Sequence, residues 1–102
     1  MKAIQRLMEG MMDKYGIYVP LSEIGYESHL LYKEEIDEQL VPAVVLEHLE
    51  GPLETESASY TDRDGTEYLV LLIETDQPEP YEVWLIDDEV QHDFFKDSEV
   101  DS

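Results

Sequence analysis

LETESASYTDRDGTEYLVLLIETDQPEPYEVWLIDDE, residues 53–89, decides the fold. Its centre, Glu67 to Thr75 (EYLVLLIET), is the strongest strand signal in the chain, and its continuous apolar run reads as a central strand covered on both faces. Asp62-Arg63-Asp64-Gly65 precedes it, and the Asp-Gly step favours the positive φ of a hairpin turn. Leu53 to Thr61 alternates loosely and supplies the partner strand. On the other side Asp76 to Pro80 (DQPEP) is a turn, and Tyr81 to Glu89 (YEVWLIDDE) alternates as a further strand. Hairpin-linked strands of this kind form an antiparallel sheet.

Upstream, Ile4, Leu7, Met8, Met11 and Tyr15 follow the spacing of an amphipathic helix, with Gly16 placed to end it. The methionines read as core filler. Ile17-Tyr18-Val19 is a short strand closed by Pro20, and Ser22 to Leu31 is extended in character. Lys33 to Val41 reads as a second helix, with Ile36 and Leu40 four apart, and Pro42 ends it. Ala43 to Glu50 (AVVLEHLE) fits either a helical turn or two beginning at Pro42, or a buried strand, and Gly51-Pro52 closes it. Phe94-Phe95 is placed to pair at a sheet edge, and residues 96–102 are expected to fray. No internal repeat is visible. The expected fold is α+β: a single domain over 1–102, with one antiparallel sheet of about five strands and two main helices.

The 102 residues hold 26 Asp and Glu against 6 Lys and Arg, a net charge of −20. Residues 1–33 contain four acids and four bases, so the whole excess falls in residues 34–102, with 22 acids against Arg63 and Lys96. Self-repulsion of this size weakens a fold. A salt-adapted surface would spread its acids along the chain, and this one does not, so the asymmetry favours a charged partner. Direct binding to nucleic acid, and to an anionic membrane, is disfavoured by repulsion. No apolar run spans a bilayer, and Glu9 and Asp13 interrupt any signal-peptide core, so the expected location is cytoplasmic.

Catalytic and metal chemistry finds little support. With no cysteine there is no disulfide, thiolate or Cys-type zinc site. Asp62-Arg63-Asp64-Gly65 resembles part of a calcium loop, but the third ligand position before the glycine is missing and Leu71 stands where the distal Glu belongs. His29, His48 and His92 lack zinc spacing. There is no glycine-rich phosphate loop or nucleophile elbow, and no carboxylate pair is marked by burial. The chain reads as a non-enzyme without a cofactor.

The informative segment is Tyr26 to Leu40, YESHLLYKEEIDEQL. Glu27-Ser28 lies in the extended stretch. Glu34, Glu35, Asp37 and Glu38 fill the first turns of the expected helix, where the dipole favours acids. Glu35 and Glu38, three apart, share a helical face, while Ile36 and Leu40 form an apolar stripe that Leu31 can reach. An acidic ridge thus borders an apolar face. The acids can stand in for DNA phosphates, and the stripe can accept a side chain that a DNA-binding partner pushes into DNA.

These residues resemble the phage-type uracil-DNA glycosylase inhibitors, small acidic proteins that mimic DNA. The resemblance runs through three blocks: Glu27-Ser28 with Leu30-Leu31 and Glu34 to Glu38; Tyr60 and the polar turn leading into Val70 to Ile73; and Thr75-Asp76, Pro78-Glu79 and Trp84. It covers roughly residues 26–40 and 60–89. The resemblance implies a helix, an edge strand, a second helix and an antiparallel sheet, and a stoichiometric, 1:1 complex with the glycosylase. It implies that Glu27 and Ser28 sit on the edge strand entering the enzyme's DNA groove, with Glu35 and Glu38 as phosphate mimics. Leu31, Ile36, Leu40, Leu71 and Ile73 would line the pocket for the enzyme's intercalating apolar side chain, with Ile86 the best match near Trp84. The chain departs from the family at Tyr26 and Gln39, and over Val41 to Ser59, which is longer. Two other readings stay open on sequence: an acidic immunity or antidote protein that plugs a different basic nuclease, and a small acidic domain whose charge serves only solubility.

Overall fold

The computed structural model describes residues 2–91; His92, Phe94-Phe95 and the tail at 96–102 lie outside them. The elements are α1 (Lys2–Tyr15), β1 (Gly25–Leu31), α2 (Ala43–Leu46), β2 (Leu53–Thr61), β3 (Glu67–Ile73), β4 (Tyr81–Ile86) and β5 (Glu89–Gln91), with 3-10 turns at Leu21–Glu23 and Lys33–Glu35. The five strands form one antiparallel sheet in the order β1-β2-β3-β4-β5. The fold is α+β, and β3 is its central strand.

Both faces of β3 are covered, as its apolar run requires. Tyr68, Val70 and Leu72 pack with Ala58 and Trp84 under Ala3, Leu7 and Met11 of α1. The opposite face carries Ile73 and Leu71, packed with Leu53, Val83, Val41 and Leu46. α1 ends where Gly16 takes φ 67, so that Gly16 N–H reaches the Met12 carbonyl (2.9 Å) and Ile17 N–H that of Met11 (3.2 Å). At its other end Ala3 N–H donates to Glu56 Oε1 at 2.6 Å. The helix is also stapled to β4: Arg6 grips the Glu82 carboxylate through Nε (2.6 Å) and Nη2 (3.0 Å), and Trp84 Nε1 donates to the same group at 2.9 Å.

Three local expectations need correction. Ile17-Tyr18-Val19 is not a strand; Val19 packs into the α1 core from an irregular segment, which accounts for its apolar character. Lys33 to Val41 is not an α-helix. Ile36 is extended (φ −95°, ψ 125°) between the 3-10 turn and a second turn, in which Leu40 and Val41 N–H both reach the Asp37 carbonyl. Local side-chain bonds win here: Glu35 accepts from Tyr32 N–H at 2.8 Å and Asp37 from Gln39 N–H at 2.9 Å. Four acids in five residues gain from being splayed apart, and Pro42 blocks propagation. The second helix is instead the four-residue α2 that begins after Pro42. Finally, Tyr81 to Glu89 is two strands. Asp87 (φ 50) and Asp88 (φ 68) form a tight left-handed turn between β4 and β5, a conformation Asp tolerates well.

Asp62-Arg63-Asp64-Gly65 is the β2–β3 hairpin turn, with Gly65 at φ 85. Asp62 Oδ1 accepts from Asp64 N–H (2.9 Å) and Thr66 N–H (3.0 Å), and Oδ2 from the Tyr68 hydroxyl (3.0 Å). Desolvation alone would raise the Asp62 pKa, but these bonds hold it below the ordinary carboxylate value. Tyr68 is pushed up to about 12, first by burial and then by Asp62. A raised pKa favours the protonated folded form. Its contribution to stability is therefore complete below the unfolded value of about 10 and is lost as pH rises from there toward 12. In Asp62→Asn the late component of the phenolate absorbance titration, identified by its absence in Tyr68→Phe, should move to lower pH. An unmoved midpoint would show that Asp62 does not govern it.

Candidate functional site

β1 is an edge strand, and every residue from Gly25 to Leu30 is exposed. Strand alternation sends Glu27 and Ser28 to opposite faces. Ser28, with Tyr26 and Leu30, is on the face of Ala58 and α1, whereas Glu27, His29 and Leu31 lie on the opposite face. The Glu27 side chain is 73 % exposed and meets His29 Nε2 at 3.3 Å.

Beyond β1 the two turns arrange the remaining acids differently from a helix. Glu35 and Glu38 are both exposed, but the extended Ile36 between them removes the shared helical face. Glu35 Oε2 is committed to Tyr32 N–H. Glu38 instead joins Glu34 and Glu47 around an open concavity of about 270 Å³, whose apolar lining is Ile36, Val41, Ala43 and Leu46. Lys33 is the cation at this rim, and its Nζ donates to the Glu47 carbonyl at 2.9 Å.

Four of the five expected pocket residues belong to one cluster. Ile36, Leu40 and Leu71 are half-buried against the core formed by Val41, Leu46, Leu53, Ile73 and Val83. Leu31, also half-buried, adjoins it through its cross-strand partner Leu53. Ile73 is only 1 % exposed, and of the five only Ile36 lines the concavity itself; Leu31, Leu40, Leu71 and Ile73 do not. Ile86 is not at the pocket at all. It packs toward α1, and the β4 side chains on the pocket's face are Val83 and Leu85; a register difference of one residue moves a side chain to the other face.

Sequence reasoning missed Val41, Leu46 and Glu47. The signal for Leu46 and Glu47 is the AVVLEHLE stretch, whose apolar spacing fits a turn of helix lying on a core; Val41 lies just before it, ahead of Pro42. This segment is tied down twice, by Lys33 to Glu47 and by His48 Nε2 to Asp76 Oδ2 at 3.0 Å. The His48 hydrogen bond lowers the Asp76 carboxyl below its ordinary value. Among the described residues no helix is long and apolar enough to cross a membrane. The arrangement presents carboxylates around an open apolar concavity, next to an exposed edge strand. No protein-family model matches the chain, and neither a curated protein nor a solved structure does.

Proposed function

We propose that this protein is a DNA-mimicking inhibitor of uracil-DNA glycosylase, binding 1:1 in the enzyme's DNA groove and capturing its intercalating apolar side chain. The observation that carries the reading is the apolar concavity of Ile36, Val41 and Leu46 rimmed by Glu34, Glu38 and Glu47, beside an exposed edge strand bearing Glu27. Its volume of about 270 Å³ is just below the range of about 300–1,000 Å³ typical of small-molecule pockets, a size suited to a single side chain. The resemblance of residues 26–40 and 60–89 to the glycosylase inhibitors supplies the partner's identity, and the concentration of acids in residues 34–102 fits a basic groove.

In this reading Glu27, Glu34 and Glu38 act as phosphate surrogates, and Ser28 offers its hydroxyl from the opposite face of the edge strand. Glu35 holds its turn and presents its remaining oxygen. Ile36 lines the apolar seat with Val41, Ala43 and Leu46, while Leu40, Leu71 and Ile73 belong to the packed cluster that holds Val41 and Leu46, and Leu31 adjoins it through Leu53. Capture there slows dissociation, because a desolvated anchor carries most of the binding energy.

Titrating the protein against a family-1 type glycosylase acting on uracil-containing DNA should abolish excision at one equivalent. An enzyme still fully active at equimolar protein contradicts the reading. Inhibition of a different basic nuclease in the same assay format would favour the immunity-protein alternative.

A further inference from the structure

The outer edge of β1 is seven residues long and, among the described residues, pairs with nothing. Exposed strand edges in soluble proteins are normally blunted by charged side chains, especially Lys, by a Pro, a bulge or a covering element, because their free N–H and C=O groups template pairing with other chains; the one carboxylate of β1, Glu27, leaves its edge open to a cationic strand. GYESHLL contains neither Lys nor Pro, and its residues pair with β2 one to one without a bulge. The face beside it is also uncovered. α1 lies across β2 and β3 and leaves Leu30 64 % exposed and Tyr26 37 % exposed. These two, with Ser28, line an open groove of about 420 Å³ whose other walls carry Glu54, Glu56 and Glu74. Among the described residues no His, Asp and Glu group is arranged to hold a metal ion.

We infer that β1 is a docking edge for an extended, cationic segment of a partner protein, which adds to the sheet as a sixth strand and lays alternate Lys or Arg side chains in the groove toward Glu54, the β2 residue opposite Leu30. Backbone pairing supplies the geometry, and alternate side chains read the two faces of the edge. Tyr26 and Leu30 pack the aliphatic stems of long basic side chains while the carboxylates meet their charged ends. A second copy of this chain is a poor occupant, since each copy carries −20 and pairing the two edges would bring like charges together. The inference deepens the proposed function, and rests on it only in assigning the strand to the inhibited protein.

The test needs no glycosylase. The capped heptapeptide Lys-Val-Lys-Val-Thr-Val-Lys is titrated into the isotopically labelled full chain, alongside Lys-Pro-Lys-Pro-Thr-Pro-Lys, which has equal charge but cannot complete a ladder. The first peptide should slow hydrogen exchange at every second amide of residues 25–31, with shifts confined to β1 and the groove. The proline peptide should bind at least about tenfold more weakly. Glu54→Gln, with an unchanged circular dichroism spectrum, should weaken the first peptide about fivefold while keeping the alternating protection pattern. Equal binding of the two peptides, or shifts spread over the whole acidic surface, overturns the inference in favour of simple counter-ion attraction. A free chain that sediments as a dimer with β1 amides already protected overturns it in favour of self-pairing. Uninhibited glycosylase leaves the peptide result standing, and a silent peptide titration leaves inhibition standing, so the two readings fail separately.

Discussion

Reversing two charges, Glu27→Lys together with Glu38→Lys, should slow association with the glycosylase about 100-fold at low salt while leaving the protein folded. The net charge changes only from −20 to −16, so a uniform loss of attraction cannot account for an effect of that size. The two carboxylates are at the places that matter in the proposed complex. Glu27 projects from the free edge strand, and Glu38 is on the rim of the apolar concavity. Electrostatic steering raises association rates by about 10–10³-fold when complementary fields face each other, and opposing Lys side chains turn attraction into repulsion. The matched control is Asp13→Lys with Asp64→Lys, which makes the same change in net charge on exposed residues of α1 and the β2–β3 turn. Stopped-flow association at several salt concentrations separates the two. If control and site variants slow equally, attraction is diffuse and the proposed acidic site is wrong.

The largest loss of stability is expected from Leu7→Ala. Leu7 is fully buried between α1 and the sheet, in the cluster that includes Met11, Val70 and Trp84. Truncation removes apolar burial and leaves a cavity that close-packed strands on one side and a helix on the other cannot easily collapse. The cost is about 3 kcal/mol, within the range for buried Leu→Ala changes. For a domain of this size that lowers Tm by about 10–20 °C. Total stability in small domains is about 5–15 kcal/mol, and the self-repulsion of −20 places this one under strain, so the variant should also be markedly sensitive to low salt. Met12→Ala, on the exposed side of the same helix, should change stability by no more than about 0.5 kcal/mol. Thermal melts of the two variants at matched salt provide the check. Similar melting temperatures would mean that α1 does not pack on the sheet through its Leu7 face.

Features set by periodicity and turn chemistry were legible in the sequence. The apolar stripe of α1, the Asp-Gly hairpin and the continuous run of β3 each had a single physical solution, and the order of hairpins then put β3 at the centre of the sheet. Segments in which local polar bonds compete with propensity were less legible. The charge-dense Lys33 to Val41 stretch has helical spacing, yet Glu35 and Asp37 each bond a nearby backbone N–H and break it into turns. The Asp87-Asp88 turn was hidden because acidic residues within an alternating pattern look like its solvent-facing positions. At the site, the sequence pointed to the correct neighbourhood but not to the division of labour. It placed Glu35 and Glu38 on one ridge, whereas a single extended residue, Ile36, separates them and brings Glu38 together with Glu34 and Glu47. It also could not reveal that Val41 and Leu46 fold back over Ile73, because that contact joins residues far apart in the chain.

The most direct measurement is displacement of DNA. A fluorescently labelled duplex bound to the glycosylase reports its release by anisotropy, and it carries no uracil, so no catalysis intervenes. A protein that occupies the phosphate-binding groove must release all of the duplex at one equivalent, with an association rate that falls as salt rises. A stable ternary complex, in which anisotropy rises further while the duplex stays bound, would contradict the mimicry outright.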